Sequence, residues 1–246
     1  MKKLTLVLVA VLALAASFTP ASQAAVEVEG DAYIGIFDKY LWRGYDLSGG
    51  TSVLQGGMDL SAKGFTLSYW SNFQNNTDTV LGSTVESGNV TETDIVLDYS
   101  FDAGELLSVS LGNILYALDG LEDTNELYLS LGLNTLLSPT LSVYYDWDEA
   151  DEAAMFYTAS IGHSVDLVEG LSLSLGALVS YNQESDYAVG NYSDWHNYEL
   201  SASIDYAVTE QITLTPSFLF SEGISDDAKT AIDSETVTGL TVALSF

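Results

Sequence analysis

The sequence predicts an all-β protein: a transmembrane antiparallel up-and-down β-barrel of twelve strands, preceded by a cleavable signal peptide. Three observations predict it. Apolar and polar residues alternate with a period of two through most of the chain. The connections between the alternating segments are short and long by turns. The last segment is amphipathic and ends on Phe246. Period two places successive side chains on opposite faces of a strand.

The chain opens MKKLTLVLVAVLALAASFTPASQAAVEVEG. Lys2 and Lys3 form a basic head, and Leu4 to Ala16 is an apolar run too short to span a bilayer as a helix. Ser22 and Ala24 stand three and one residues before a cut after Ala24. Residues 1–24 therefore read as a signal peptide and 25–246 as one outer-membrane barrel domain. Loss of the two lysines takes the formal charge from −29 to −31, the wrong sign for nucleic acid. There is no cysteine, so neither disulfides nor thiolate metal sites hold the fold.

Twelve strands are expected at 31–43, 50–60, 64–74, 91–101, 105–116, 124–134, 139–148, 154–164, 170–182, 195–207, 211–221 and 235–246; ten is the alternative count. In one of them Leu127, Leu129, Leu131 and Leu133 interleave with Tyr128, Ser130, Gly132 and Asn134. The segments are longer than the ~5–6 residues of soluble strands and match the ~9–11 of a tilted membrane strand. The connections SAKG, DAG, TLLS, VDLVE and VTE are short; those between them are mostly longer and polar. That is the asymmetry of periplasmic turns and extracellular loops, and an even strand count puts both termini in the periplasm.

Aromatic residues mark the strand ends. Tyr40, Trp42, Phe73, Tyr145, Trp147, Tyr181 and Phe220 fall on the long-loop side, and Tyr99, Phe101, Tyr206 and Phe246 on the short-turn side. Two such levels suit interfacial girdles. Leu240, Val242, Leu244 and Phe246 share one face and resemble the recognition signal of bacterial outer-membrane barrel assembly. A soluble sandwich or lipocalin-like barrel alternates too, but with shorter strands and its apolar face inside.

If the apolar face meets lipid, the polar face lines the lumen, and it is rich in serine, threonine and glycine. Its charged candidates are Asp59, Asp94, Asp98, Asp146, Asp148, Glu199 and Asp205, with Lys39 and Arg43 as the basic ones. Carboxylate rings favour cations, and an acidic mouth concentrates them. On a first strand running to Arg43, Tyr40 and Trp42 take the lipid phase. Lys39 and Arg43 then take the lumen phase, ~13 Å apart. Asp59 is a candidate partner, and Asp38 is left on the lipid phase. Two readings stay open, a charged constriction and an internal salt-bridge network.

The stretch YLWRGYDLSGGTSVLQGGMDL resembles the hallmark of a family of uncharacterised Gram-negative outer-membrane porins, the TorF-like or Gcw_chp group. Tyr40, Trp42, Arg43, Gly44, Gln55, Gly56, Gly57 and Asp59 match its pattern, and Lys39 stands where that family has aspartate. The resemblance implies a porin and supplies no substrate.

Enzymatic chemistry lacks its parts. His163 and His196 are the two histidines. His163 and Ser164 are strand neighbours that point apart, and His196 is placed at the rim beside Trp195. The acidic run Asp146–Glu152 lacks the spacing of a calcium loop, so no metal site or cofactor is expected. The expected function is a porin-like channel for passive diffusion of small hydrophilic solutes, preferring cations. The alternative is a non-conducting structural or adhesin-like barrel acting through its extracellular loops. Expected partners are outer-membrane lipid and lipopolysaccharide, the assembly machinery and periplasmic chaperones, and small cationic or neutral solutes. Open and plugged lumens both fit the sequence.

Overall fold

The computed structural model describes residues 27–80, 83–150, 154–184 and 189–246. The expected signal peptide lies outside them. In chain order the elements are β1 Glu29–Phe37, β2 Leu41–Trp42, β3 Tyr45–Asp46, β4 Val53–Ala62, β5 Phe65–Gln74, β6 Asp78–Val80, β7 Ser83–Val85, β8 Val90–Asp102, β9 Leu107–Leu118, β10 Thr124–Leu133, β11 Thr140–Asp146, β12 Met155–Val168, β13 Leu171–Gln183, β14 Asp194–Ala207, β15 Ile212–Gly223, α1 Asp226–Ala231 and β16 Glu235–Ser245.

Twelve strands close into one barrel, each paired antiparallel with its neighbours; β2–β3 and β6–β7 are separate hairpins in the loops. Closure is made by β1 on β16, with Asp31 opposite Ser245 and Phe37 opposite Gly239. Gly30 and Phe246 exchange both backbone hydrogen bonds, so the described chain ends meet at the short-turn rim. Closure matters because no edge strand remains to expose unpaired backbone to hydrocarbon.

The alternation resolves into two faces. Ile34, Ile36, Leu97, Leu111, Leu127, Leu129, Leu131, Leu175 and Leu200 are exposed on the outer wall. Leu240, Val242, Leu244 and Phe246 continue that wall along the closing strand. Polar residues turn inward, where Ser130 meets Ser142 and Ser164 meets Ser174 by hydroxyl hydrogen bonds.

Two boundaries depart from expectation by four residues or more: β12 runs on to Val168 through most of the expected VDLVE connection, and the first strand ends early. The first strand ends at Phe37, not at Arg43, and residues 38–52 leave the wall. Asp38 explains the break. Its carboxylate accepts from the Thr238 amide and hydroxyl, capping the strand end on the outer side. The barrel therefore has a sixth long connection, and it folds inward.

Candidate functional site

The lumen has two unlike halves. At the long-loop end its inward side chains are packed and buried: Val53, Asn72, Gln74, Glu92, Tyr116, Glu126, Phe156, Asn182, Asn197 and Ser221. Towards the short turns the inward face is polar and water-accessible, with Ser108, Ser110, Thr140, Ser142, Ser172, Ser174, Thr213 and Thr215 on the alternate strands β9, β11, β13 and β15. Residues 38–52 make the difference.

Those residues form a tight hairpin. Leu41 pairs with Asp46 and Trp42 with Tyr45, and Leu47 donates its amide to the Tyr40 carbonyl at 2.8 Å. Arg43 (φ 47°) and Gly44 (φ 85°) are the turn. Two consecutive left-handed residues make the type I′ turn that suits a two-residue hairpin, and glycine takes the second place without cost. A Cβ on Gly44 would also lie 2.6 Å from Ile232. The loop base is fixed by Ser48, which bonds Asp46 and accepts from the Gln74 amide.

The hairpin crosses the barrel. Its arms leave from Phe37 and Val53, which are register partners on β1 and β4. Its tip reaches Glu126 on β10, five positions away in one direction around the wall and seven in the other. Twelve strands ~4.8 Å apart and tilted ~40° enclose a diameter of ~24 Å. The six residues from Phe37 to Arg43 cover ~20 Å when extended, and the two long side chains cover the rest.

Arg43 is held at the far wall. Its guanidinium makes two parallel bonds to the Glu126 carboxylate, each 2.8 Å, and Tyr116 donates to the same carboxylate at 3.0 Å. The planar cation lies against Trp42, Tyr144 and Phe156, with centroids 4.4–5.0 Å away. Bidentate geometry and ring faces are what a guanidinium offers and a lysine does not. The Arg43 carbonyl is 2.7 Å from His196 Nε2 on β14, whose other ring nitrogen bonds the Tyr192 hydroxyl. Tyr45 donates to the Val189 carbonyl. Nearer the hinge side, Tyr40 donates to Glu92 on β8 and rests against Trp70, and Lys39 pairs with Glu235 on β16. The hydrogen bond that Lys39 donates to the Glu235 carboxylate raises its ammonium above the ordinary range, and burial pushes the Tyr40 phenol well up.

Several expected positions change with this. Tyr40 and Trp42 are not girdle residues on the lipid face. They lie inside the barrel, Tyr40 7% exposed and Trp42 edge-on to Tyr116, because the strand ends before them. Lys39 and Arg43 are not i and i+4 on a strand face but stand on a loop. Asp59 is not their partner; it faces the lumen from β4, opposite Asp31 and Ser68. His196 is not at the rim. A β-bulge at Val179/Tyr181 lets both His196 and Asn197 turn inward, where they are fully buried.

The carboxylates divide by level. Asp94 stands on the same inward face as Glu92, with one buried oxygen that has no hydrogen-bond partner. Asp146 caps a loop, accepting from Thr124 and the Asp148, Glu149 and Ala150 amides. Glu199 accepts from Asn197. Asp98 and Asp205 line the open half, where Tyr128 and Thr215 donate to them. Phe73, Tyr99, Phe101, Tyr145, Trp147, Tyr181, Tyr206 and Phe220 stand on the outer wall, with Phe65, Tyr99 and Phe101 clustered at the turn level. Gln55 donates to Asn72, and Gly57 lets Tyr33 lie across β4, where a Cβ would come 2.6 Å from its hydroxyl. Glu92, Glu126 and Glu235, the hairpin's ionic and hydrogen-bonding partners, went unrecognised in the sequence because each lies far from the hairpin along the chain.

A closed antiparallel barrel with an apolar outer wall and a polar interior defines a transmembrane barrel of the outer-membrane type. Among solved structures, the NanC porin matches with a TM-score of 0.55 at 13% identity, over 87% of this chain and 98% of that one. The KdgM porin matches at 0.54 and 14%, over 89% and 99%. An outer-membrane channel from Pseudomonas putida F1 matches at 0.53 and 12%, over 94% and 100%. At these identities the likeness is one of fold. No family model and no curated protein matches the chain.

Proposed function

We propose that the protein is a porin-like channel of the outer membrane, with its short turns and termini in the periplasm. It passes small hydrophilic solutes down their gradients and prefers cations and neutral molecules. The observation that carries this reading is the open half-lumen. Asp31, Asp59, Asp98 and Asp205 face it, while the described basic residues lie elsewhere. Lys39 and Arg43 are paired in the hairpin, Lys229 is on α1, and Lys63 is exposed in the β4–β5 turn. A one-signed lining in a confined lumen favours counter-ions. The porin names of the structural neighbours support the class of activity, and the TorF-like resemblance agrees. Its matching residues build the inward hairpin and the strand that follows it. Lipid and lipopolysaccharide at the outer wall, and the assembly machinery acting on the Phe246 strand, are the proposed partners.

Solute flux into vesicles tests this. Purified full-length mature protein should admit a small organic ammonium ion and a small sugar faster than a carboxylate anion of similar size. Faster anion flux would contradict the charge argument. The competing reading, a non-conducting barrel acting through its loops, draws on the hairpin that crosses the lumen and predicts no flux of any solute.

A further inference from the structure

We propose that residues 38–52 are a hinged gate and that the Arg43–Glu126 pair is its latch. The inference rests on the channel reading above and says how that channel is regulated. Four observations point to a gate instead of a permanent strut.

First, the hairpin is attached on one side. Both arms spring from adjacent, paired strands, β1 and β4, and the tip rests on the opposite wall. Second, it is internally bonded. The Leu41–Asp46 and Trp42–Tyr45 pairs and the Leu47–Tyr40 bond let it move as one unit. Third, its attachments at the far wall use side chains. Between residues 39–51 and the barrel strands no backbone-to-backbone hydrogen bond is formed among the described residues. An element held by a few side-chain contacts opens at far lower free energy than one in a β-ladder. Fourth, the latch is one cation among several carboxylates. Glu92, Asp94 and Glu126 face the same level of the lumen as the single guanidinium. Withdrawing Arg43 leaves that level uncovered and acidic, and so continuous in charge with the open half below it.

The latch also has a specific form. Arg43 is kept in a left-handed conformation by bonds on both its ends: guanidinium to Glu126 and carbonyl to His196. Loss of the first leaves a strained residue held by its backbone bond and ring contacts, without the ion pair, so the tip is poised to leave.

Single-channel recording of the full-length mature protein tests this with Arg43→Gln, Glu126→Gln, the double variant, and a barrel in which a short Gly-Ser linker replaces residues 39–51. Heat-modifiable migration on gels establishes that each barrel is folded. We expect the wild type to show brief, infrequent openings and the linker barrel to conduct continuously. Each charge variant should raise the open probability about tenfold or more, and the double variant should add nothing to either. Charge variants that keep the wild-type open probability while the linker barrel conducts would overturn the latch. Equal conductance in the wild type and the linker barrel would overturn the gate altogether. Silence of every protein, the linker barrel included, would instead overturn the channel reading.

Discussion

Arg43 adopts a backbone conformation that bulky residues rarely hold, and it does so because its side chain is fixed by one carboxylate and three rings. Removing either charge of this pair leaves the other buried and uncompensated, at a cost of about 3–5 kcal/mol. Hydrogen exchange of the hairpin amides should register that loss in Arg43→Gln and Glu126→Gln. Lys39→Gln should cost only about 1 kcal/mol, since the Lys39–Glu235 pair is partly solvated. The same residues set a pH dependence. Lys39 and Tyr40 are both raised in the folded state, Lys39 by the hydrogen bond it donates to Glu235 and Tyr40 by burial. A raised group contributes stability below its ordinary value, which is lost as pH climbs through the folded one. Hairpin protection should therefore fall as pH climbs above the ordinary tyrosine value of 10.0. Protection that stayed unchanged there would contradict this assignment. In the sequence, Arg43 was visible as an odd charge among aromatics. Its partner was not, because Glu126 lies 83 residues away and only barrel closure brings the two together.

Period-two alternation locates wall strands well because every residue must choose lipid or lumen. Expected 124–134 became Thr124–Leu133, and expected 195–207 became Asp194–Ala207. The choice has an energetic consequence. Leu129→Arg on the outer face of β10 should cost about 2–4 kcal/mol near the bilayer midplane, while Ser130→Arg, one residue on, should fold nearly as well as the wild type. Urea titration in lipid vesicles compares them, and equal losses would mean the faces are misassigned. Alternation fails where apolar residues have a third place to go. Tyr40 and Trp42 keep the rhythm of β1 but lie in a lumenal hairpin, Tyr40 buried and Trp42 half-buried, and hydrophobicity does not distinguish lipid from a packed interior. Asp38 on the lipid phase and the Arg43–Gly44 turn pair were the local signs that the strand had ended. The bulge that turns His196 inward left no comparable sign, since it depends on one extra residue opposite β13.

The whole molecule combines a wall that faces lipid, a half-lumen lined with carboxylates, and a hairpin across the other half. The wall was legible because a repeated physical constraint acts on every strand. The two-level lumen was less so, because it is set by one connection that folds inward instead of outward. Asp98 and Asp205 were placed on the polar phase from sequence, and they face water on the open side. Neutralising both, as Asp98→Asn with Asp205→Asn, should lower any cation preference without changing the fold. The most direct measurement is the reversal potential of the refolded protein in a planar bilayer under a KCl gradient, with the linker barrel alongside to remove the hairpin. The account predicts discrete openings and a potential of the sign that marks K⁺ as the more permeant ion. A folded, heat-modifiable linker barrel that passes no current, or one whose potential marks Cl⁻, would contradict it.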